Sequence, residues 1–266
     1  MPTKARYLKQ FWISWATPIV EYNPGSLRGI SRADVVLGIN KKVQAFNPLT
    51  NLISSKLRQE KRFLSPEITH AHINISNVES LNFALYPMGK NEPFGIYTSF
   101  YMDPLELLDL PDDASVIGEL GIKIVEEFLE NLAFHEYAIK DFPTDIFTSA
   151  IEDFRAKDMK VGFRPVEKEI AGSSVKAVFT IEDSPNETVI MVSFVKGKTT
   201  LFSTEISRNR GGLGSATATV LQVIDAKLCE DAIEISGIKF PSLETLRLKF
   251  GDLPSNLTDI LRSETS

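Results

Sequence analysis

This chain predicts an α+β fold with largely antiparallel sheets and flanking helices, arranged as two halves of similar build. Three observations lead there. Runs of polar–apolar alternation, the signature of half-buried strands, recur in both halves of the 266 residues. Between them lie stretches whose apolar residues repeat at the helical spacing. After residue 175, β-rich runs joined by a short turn read as an antiparallel meander.

The elements follow in order. Phe11, Ile13 and Trp15 alternate with Trp12, Ser14 and Ala16, as the two faces of a strand would. Pro18 and Asn23-Pro24-Gly25 break the chain. Ser31 caps a helix carrying Val36, Ile39, Val43 and Phe46; Asn47-Pro48 interrupts it, and a second helix carries Leu49, Leu52, Ile53 and Leu57. Strands are expected at 67–76, 81–86 and 94–101, the last two flanking a hairpin loop at 87–93. Pro111-Asp112-Asp113 opens the clearest helix, with Ile117, Leu120, Ile124, Phe128 and Leu132 on one stripe.

The second half is expected to begin near 137–143, giving halves 1–137 and 138–266, either as two domains or as one continuous domain. Pro143 and Thr144 open a helix bearing Ile146, Phe147, Ala150, Ile151 and Phe154. Pro165 interrupts 161–170 and marks it as an edge strand. Val175, Ala177, Phe179 and Ile181 alternate, 188–195 is rich in β-branched residues, and Lys196-Gly197-Lys198 turns into 199–207. Beyond a glycine-rich turn, 215–228 reads as a helix, 233–238 as a strand, 242–250 as a short helix or strand, and 257–261 as a helical turn.

Composition bounds the function. With 43% hydrophobic and 24% charged residues the chain folds rather than staying disordered. The single cysteine, Cys229, excludes an intrachain disulfide and points to a reducing, cytoplasmic setting. No apolar run approaches the roughly 20 residues of a membrane-spanning helix. Lys4, Arg6 and Lys9 precede apolar residues at 11–20, but Ser14, Thr17 and Pro18 interrupt them, so no signal peptide is expected.

Charge is unevenly spread. Residues 1–100 carry 12 Lys/Arg against 6 Asp/Glu, and residues 101–160 carry 5 against 15. The net −6 argues against general nucleic-acid binding, which needs clustered cations. Two readings of the asymmetry stay open: segments that attract each other, or an acidic face for a basic partner. The second reading nominates Asp109, Asp112, Asp113, Glu119, Glu126 and Glu130 as partner-binding residues.

His70 and His72 share one face of their strand, and His135-Glu136 lies elsewhere; without a third partner motif, no metal site is expected. The cluster Asp103, Glu106, Asp109, Asp112 and Asp113 lacks the spacing and glycine of a calcium loop. Lys56 and Glu60 stand at i, i+4, as on an exposed helix face.

Arg208, Arg210, Gly211, Gly212, Gly214 and Ser215 form a glycine-rich turn between an expected strand and an expected helix, where backbone N–H groups can approach an anion. It is neither a Walker loop nor a dinucleotide fingerprint. The segment resembles the coenzyme-A loop of GNAT-type N-acetyltransferases, with Asn209 where that family has Arg or Gln, and the element order over 175–250 is similar to that family's. The resemblance implies a coenzyme-A-dependent acyltransferase using 211–215. The leading expectation is different: a non-enzymatic protein without a cofactor that binds another macromolecule, most simply a protein, as an inhibitor, immunity-type or assembly component does.

Overall fold

In the computed structural model, residues 7–15, 31–64, 67–76, 84–87, 94–133, 139, 141–162, 165–210, 225–240 and 243–265 are described. The first sheet contains β1 (Gln10–Trp15), β2 (Ile68–Ser76), β3 (Ala84–Pro87) and β4 (Phe94–Tyr101), in the order β1-β2-β4-β3. β3 and β4 pair antiparallel, as the expected hairpin requires. β1 pairs with β2, and β2 with β4, in parallel. Parallel neighbours need a long crossover. Two helices fall between β1 and β2: α1 (Arg32–Gln44), capped by Ser31 Oγ accepting from Asp34 N, and α2 (Asn47–Glu60), with Pro48 in its first turn.

Alternation assigns the two faces of this sheet. Phe11, Ile13, Ala71, Ile73, Ile75, Ile96 and Phe100 are buried. Trp12, Ser14, His70, His72, Asn74 and Tyr97 lie on the other face and are half-buried. Ser54 of α2 fixes the edge strand: its Oγ accepts from Phe11 N at 2.9 Å and donates to Phe11 O at 3.1 Å.

Three more helices complete this unit. α3 (Pro104–Asp109) occupies a stretch expected as an acidic loop. Asp103 makes it a helix by accepting from Leu105 N, with Pro104 in the first turn. α4 (Ala114–Ala133) begins where expected, because Asp113 Oδ1 accepts from the N–H groups of Ser115 and Val116. α5 (Thr144–Ala156) follows.

Four phenylalanines join these elements. Phe11 of β1 meets Phe128 of α4 and Phe147 of α5 at centroid distances of 5.6 and 5.2 Å. Phe142 meets Phe147 at 5.2 Å and Phe128 at 5.9 Å. Burying each ring contributes roughly 1.5–3 kcal/mol, and each pair about 0.5–1.5 kcal/mol beyond that. α5 is thereby built into the first unit. That unit comprises Met1–Val161 and Ser184–Asn186.

The second unit comprises Gly162–Asp183 and Glu187–Ser266, and it is built differently. One sheet holds β5 (Val161–Gly162), β6 (Val166–Glu169), β7 (Lys176–Asp183), β8 (Glu187–Lys196) and β9 (Thr199–Arg210), in the order β5-β7-β8-β9, with β6 also pairing β7. Pro165 separates β5 from β6. The β8–β9 turn is Gly197-Lys198, and Gly197 supplies the φ of +60° that a tight two-residue hairpin needs at its first position.

A second antiparallel sheet holds β10 (Asp225–Leu228), β11 (Ala232–Phe240) and β12 (Leu243–Lys249). Residues 225–228 are therefore strand, not the end of the expected 215–228 helix. Ala226 is buried beside Ile235 while Lys227 is exposed, which is a period of two. Stretch 242–250 is mostly strand for the same reason. The expected turn at 257–261 is a full helix, α6 (Ser255–Thr265). Phe179, Ile190, Val192 and Phe194 of one sheet, Ala226, Ile233 and Ile235 of the other, and Leu257 and Leu261 of α6 share one core. Antiparallel pairing thus dominates the chain, with the β1-β2-β4 ladders as the parallel exception.

Gly118 of α4 tests the packing of the first unit. A Cβ there would stand 2.7 Å from Cγ and 2.8 Å from Sδ of buried Met159. We expect Gly118→Leu to cost about 2–3 kcal/mol in urea unfolding, the range of an overpacked core. Gly251→Ala, with nothing within 4 Å of its Cβ, should be close to neutral.

Candidate functional site

The cations of α1 and α2 meet the anions that follow them in sequence. Lys42, only 9% exposed, donates from Nζ to the Leu110 carbonyl and to Asp112 Oδ1, both at 2.6 Å. Lys41 stands 3.8 Å from the other Asp112 oxygen. The hydrogen bond from Lys42, then its charge, holds the Asp112 carboxyl below the ordinary aspartate range. Lys56 reaches Asp153 at 2.6 Å and Ser149 Oγ at 2.8 Å, across to α5 rather than along its own helix to Glu60. Arg62 grips both oxygens of Asp145. Arg155 of α5 grips both oxygens of Glu119 and reaches Glu126 at 3.4 Å. Its hydrogen bond depresses the Glu119 carboxyl. Lys41, Lys42, Lys56 and Arg62 thus pair with three of the 15 carboxylates of residues 101–160, whereas the Arg155 pairs lie within that stretch.

These pairs divide the six nominated carboxylates. Asp112, Glu119 and Glu126 neutralise lysine and arginine side chains inside the unit. Asp113 caps α4, and Asp109 is engaged as well. Glu130 differs: it is exposed near the C-terminal end of α4 and makes no ion pair among the described residues.

That end of α4 borders a cleft of about 380 Å³. Leu129, Leu132 and Ala133 form its α4 side, and Ile139 and Phe142 extend the apolar lining. Asp141 and Thr144 supply polar groups, both exposed. Asp141 holds a left-handed φ of 65°, which aspartate tolerates better than most residues. The last turn of α4, as far as Ala133, carries no basic side chain. Glu130 precedes Ala133 by three residues and lies on the same side of the helix. Leu132 was expected on the apolar stripe of its helix and Phe142 within the joint at 137–143; the available signal was that stripe running on to the end of the helix.

His70 and His72 do lie side by side on the half-buried sheet face. Trp12, His72 and Tyr97 occupy one row across three strands, and Ser14, Asn74 and Ser99 the next. The His72 ring lies 4.8 Å from Trp12 and 5.2 Å from Tyr97. Its Nε2 is 2.7 Å from Ser14 Oγ, which donates to Asn74 Oδ1 at 3.1 Å. Ser14 Oγ thus bridges the His72 ring and the Asn74 amide. Nδ1, where a triad's orienting carboxylate would sit, is buried without a hydrogen-bond partner. Burial lowers the His72 pKa to about 4. His70 Nδ1 pairs with Thr69 Oγ1 at 2.7 Å. Among the described residues, no three His, Cys, Asp or Glu side chains group as metal ligands.

Of the glycine-rich turn, Gly211, Gly212, Gly214 and Ser215 lie outside the described residues, as does the side chain of Arg210. Arg208 is described and is occupied: it bonds Glu205 through two nitrogens at 2.6 and 3.1 Å and Glu187 at 2.6 Å. Those bonds, from Glu205 first, raise its pKa. No helix among the described residues is long and apolar enough to cross a membrane. No family model, no curated protein and no solved structure matches this chain.

Two outcomes follow. Lys42→Met removes the donor to the Leu110 carbonyl and should cost about 1–3 kcal/mol. Arg155→Met breaks exposed pairs and should cost under about 1 kcal/mol; urea unfolding compares the two. For His72, the unfolded chain takes up a proton near pH 6.5 and the folded chain only near 4, so stability present above 6.5 is lost as pH falls through that window. Relative to His72→Gln, the native chain should lose about 2 kcal/mol between pH 7 and pH 4.5. Parallel curves for the two proteins would mean that His72 takes up its proton as readily in the folded chain as in the unfolded one.

Proposed function

We propose that this chain is a non-enzymatic protein that binds a basic segment of another protein through the C-terminal end of α4. One observation carries the reading: Glu130 remains exposed and unpaired among the described residues while its neighbours along the acidic stretch serve the fold. Asp141, exposed on the lining of the neighbouring cleft, adds a second carboxylate to the same region. Charges at such a surface act mainly on the rate and selectivity of encounter. His72 Nδ1, where a triad's orienting carboxylate would sit, has no hydrogen-bond partner among the described residues, which supports a binding role over nucleophilic chemistry at the sheet face. The acyltransferase alternative gains no support from Arg208, whose guanidinium already has two carboxylate partners.

Carbodiimide coupling tests the reading, since it joins carboxylates to the lysines of a bound protein. The expected attachment point is Glu130. A partner recovered in this way should bind purified chain about tenfold more weakly when Glu130 is replaced by Lys, and more weakly as salt rises from about 0.05 to 0.3 M. Coupling confined to other carboxylates, with affinity indifferent to salt and to Glu130→Lys, would remove this surface from consideration.

A further inference from the structure

Glu264 lies in the last turn of α6, half-buried, and the turn at 170–175 supplies its partners. Ser173 Oγ donates to one carboxylate oxygen at 2.6 Å, and Ser174 Oγ donates to the other. Lys196, where β8 ends, stands 3.9 Å from the second oxygen. Burial pushes the Glu264 carboxyl up, but the two hydroxyls, the Ser174 N–H and Lys196 outweigh it and hold the group below the ordinary glutamate range. A carboxylate accepts from both hydroxyls at once, and the arrangement fits that ionised form.

The local sequence shapes the turn for this contact. Ser173 N–H returns to the Ile170 carbonyl at 2.9 Å, and Gly172, third of those residues, supplies a φ of +86°. Ser173 Oγ accepts from Val175 N–H at 3.0 Å, which fixes the hydroxyl that reaches Glu264. The same turn also carries β10. Ala171 N–H donates to the Ala226 carbonyl at 3.1 Å, and Leu228 N–H donates to the Ala171 carbonyl at 3.4 Å. β10 is only four residues long and ends the order β10-β11-β12. Ala226 of β10 and Leu257 and Leu261 of α6 belong to one core. Two elements that cover that core therefore hang on one turn, α6 through side chains and β10 through backbone. Elements with few ties to their neighbours are those that open below the free energy of global unfolding.

We propose that the 170–175 turn is a latch: with Glu264 seated on Ser173 and Ser174, α6 and β10 are held closed together, and release of Glu264 lets both open while β7 and β8 stay paired. Opening uncovers Leu257, Leu261 and Ala226. The latch does not depend on the acidic surface of α4.

Amide hydrogen exchange on the isotope-labelled full chain reads it. Glu264→Ala should speed exchange at Leu261, Ala171 and Leu228 together by about tenfold or more, the effect of losing hydrogen bonds to a charged group. Amides of β7 and β8 should keep their native rates. Replacing both hydroxyls, Ser173→Ala with Ser174→Ala, should reproduce the pattern from the other side of the contact. Ser174→Asp sets a second carboxylate against Glu264 and should open the latch further. Ser263→Ala, in the same helical turn with its hydroxyl bonded back to the Ile260 carbonyl, should speed none of these amides. If Glu264→Ala does not fold, Glu264→Gln keeps the shape, removes the charge and should give the same pattern at smaller amplitude. Faster exchange confined to Leu261 would overturn the latch and leave Glu264 as a tether for one turn of helix. Acceleration spread evenly over β7 and β8 would overturn it as well, because the contact would then act only on global unfolding. Unchanged rates in both Glu264 variants would do the same.

Discussion

Phe11, Phe128, Phe142 and Phe147 meet ring to ring at centroid distances of 5.2–5.9 Å, and the first unit is organised by that meeting. Phe11 comes from the edge strand, Phe128 from the middle of the long helix, Phe147 from the helix after it, and Phe142 from the segment just before that helix. Bringing these four together fixes which face of the sheet is covered. It sets the register of α4 against β1 and obliges α5 to return onto the same core. The other sheet face is thereby assigned to Trp12, His72 and Tyr97, whose mixed polar and aromatic character follows from alternation once Phe11 and Ile13 are committed inward.

Electrostatics then works on a frame that packing has set. Lys42 is the consequential ion because it is nearly buried and satisfies a backbone carbonyl as well as Asp112. Arg155 and Arg62 pair on the surface, where the same chemistry is worth less. An acidic surface is accordingly smaller than an acidic sequence. Carboxylates that serve as caps or counter-ions, Asp112, Asp113, Glu119 and Glu126 among them, are already engaged.

Much of the fold was legible because its signals are local. Ser31 announced α1, Asn47-Pro48 separated it from α2, Asp112-Asp113 announced α4, and Lys196-Gly197-Lys198 announced a hairpin, each through a side chain or turn acting on its own backbone. Asp103-Pro104 carried an equally local signal for α3, which the density of carboxylates obscured. The parallel pairing of β1 with β2 was illegible because it depends on partners 60 residues apart, Phe11 with Ala71, and on a crossover that alternation does not encode. Residues 225–228 were misread because Leu221, Val223 and Ala226 fit either period until Ala226 is paired with Ile235. At the candidate site, Glu130 was named from charge. The cleft beside it was not, since Leu129 and Ile139 become neighbours only when α4 ends and the chain turns back.

The pairing of early cations with late anions also has an order in time. Lys42 and Asp112 are 70 residues apart, and Arg62 and Asp145 are 83. A ribosome making this chain releases a segment with 12 basic and 6 acidic residues well before most of the neutralising carboxylates are made. During that interval the segment carries a net charge of +6, and Lys42, Lys56 and Arg62 lack the counter-ions that Asp112, Asp153 and Asp145 later supply.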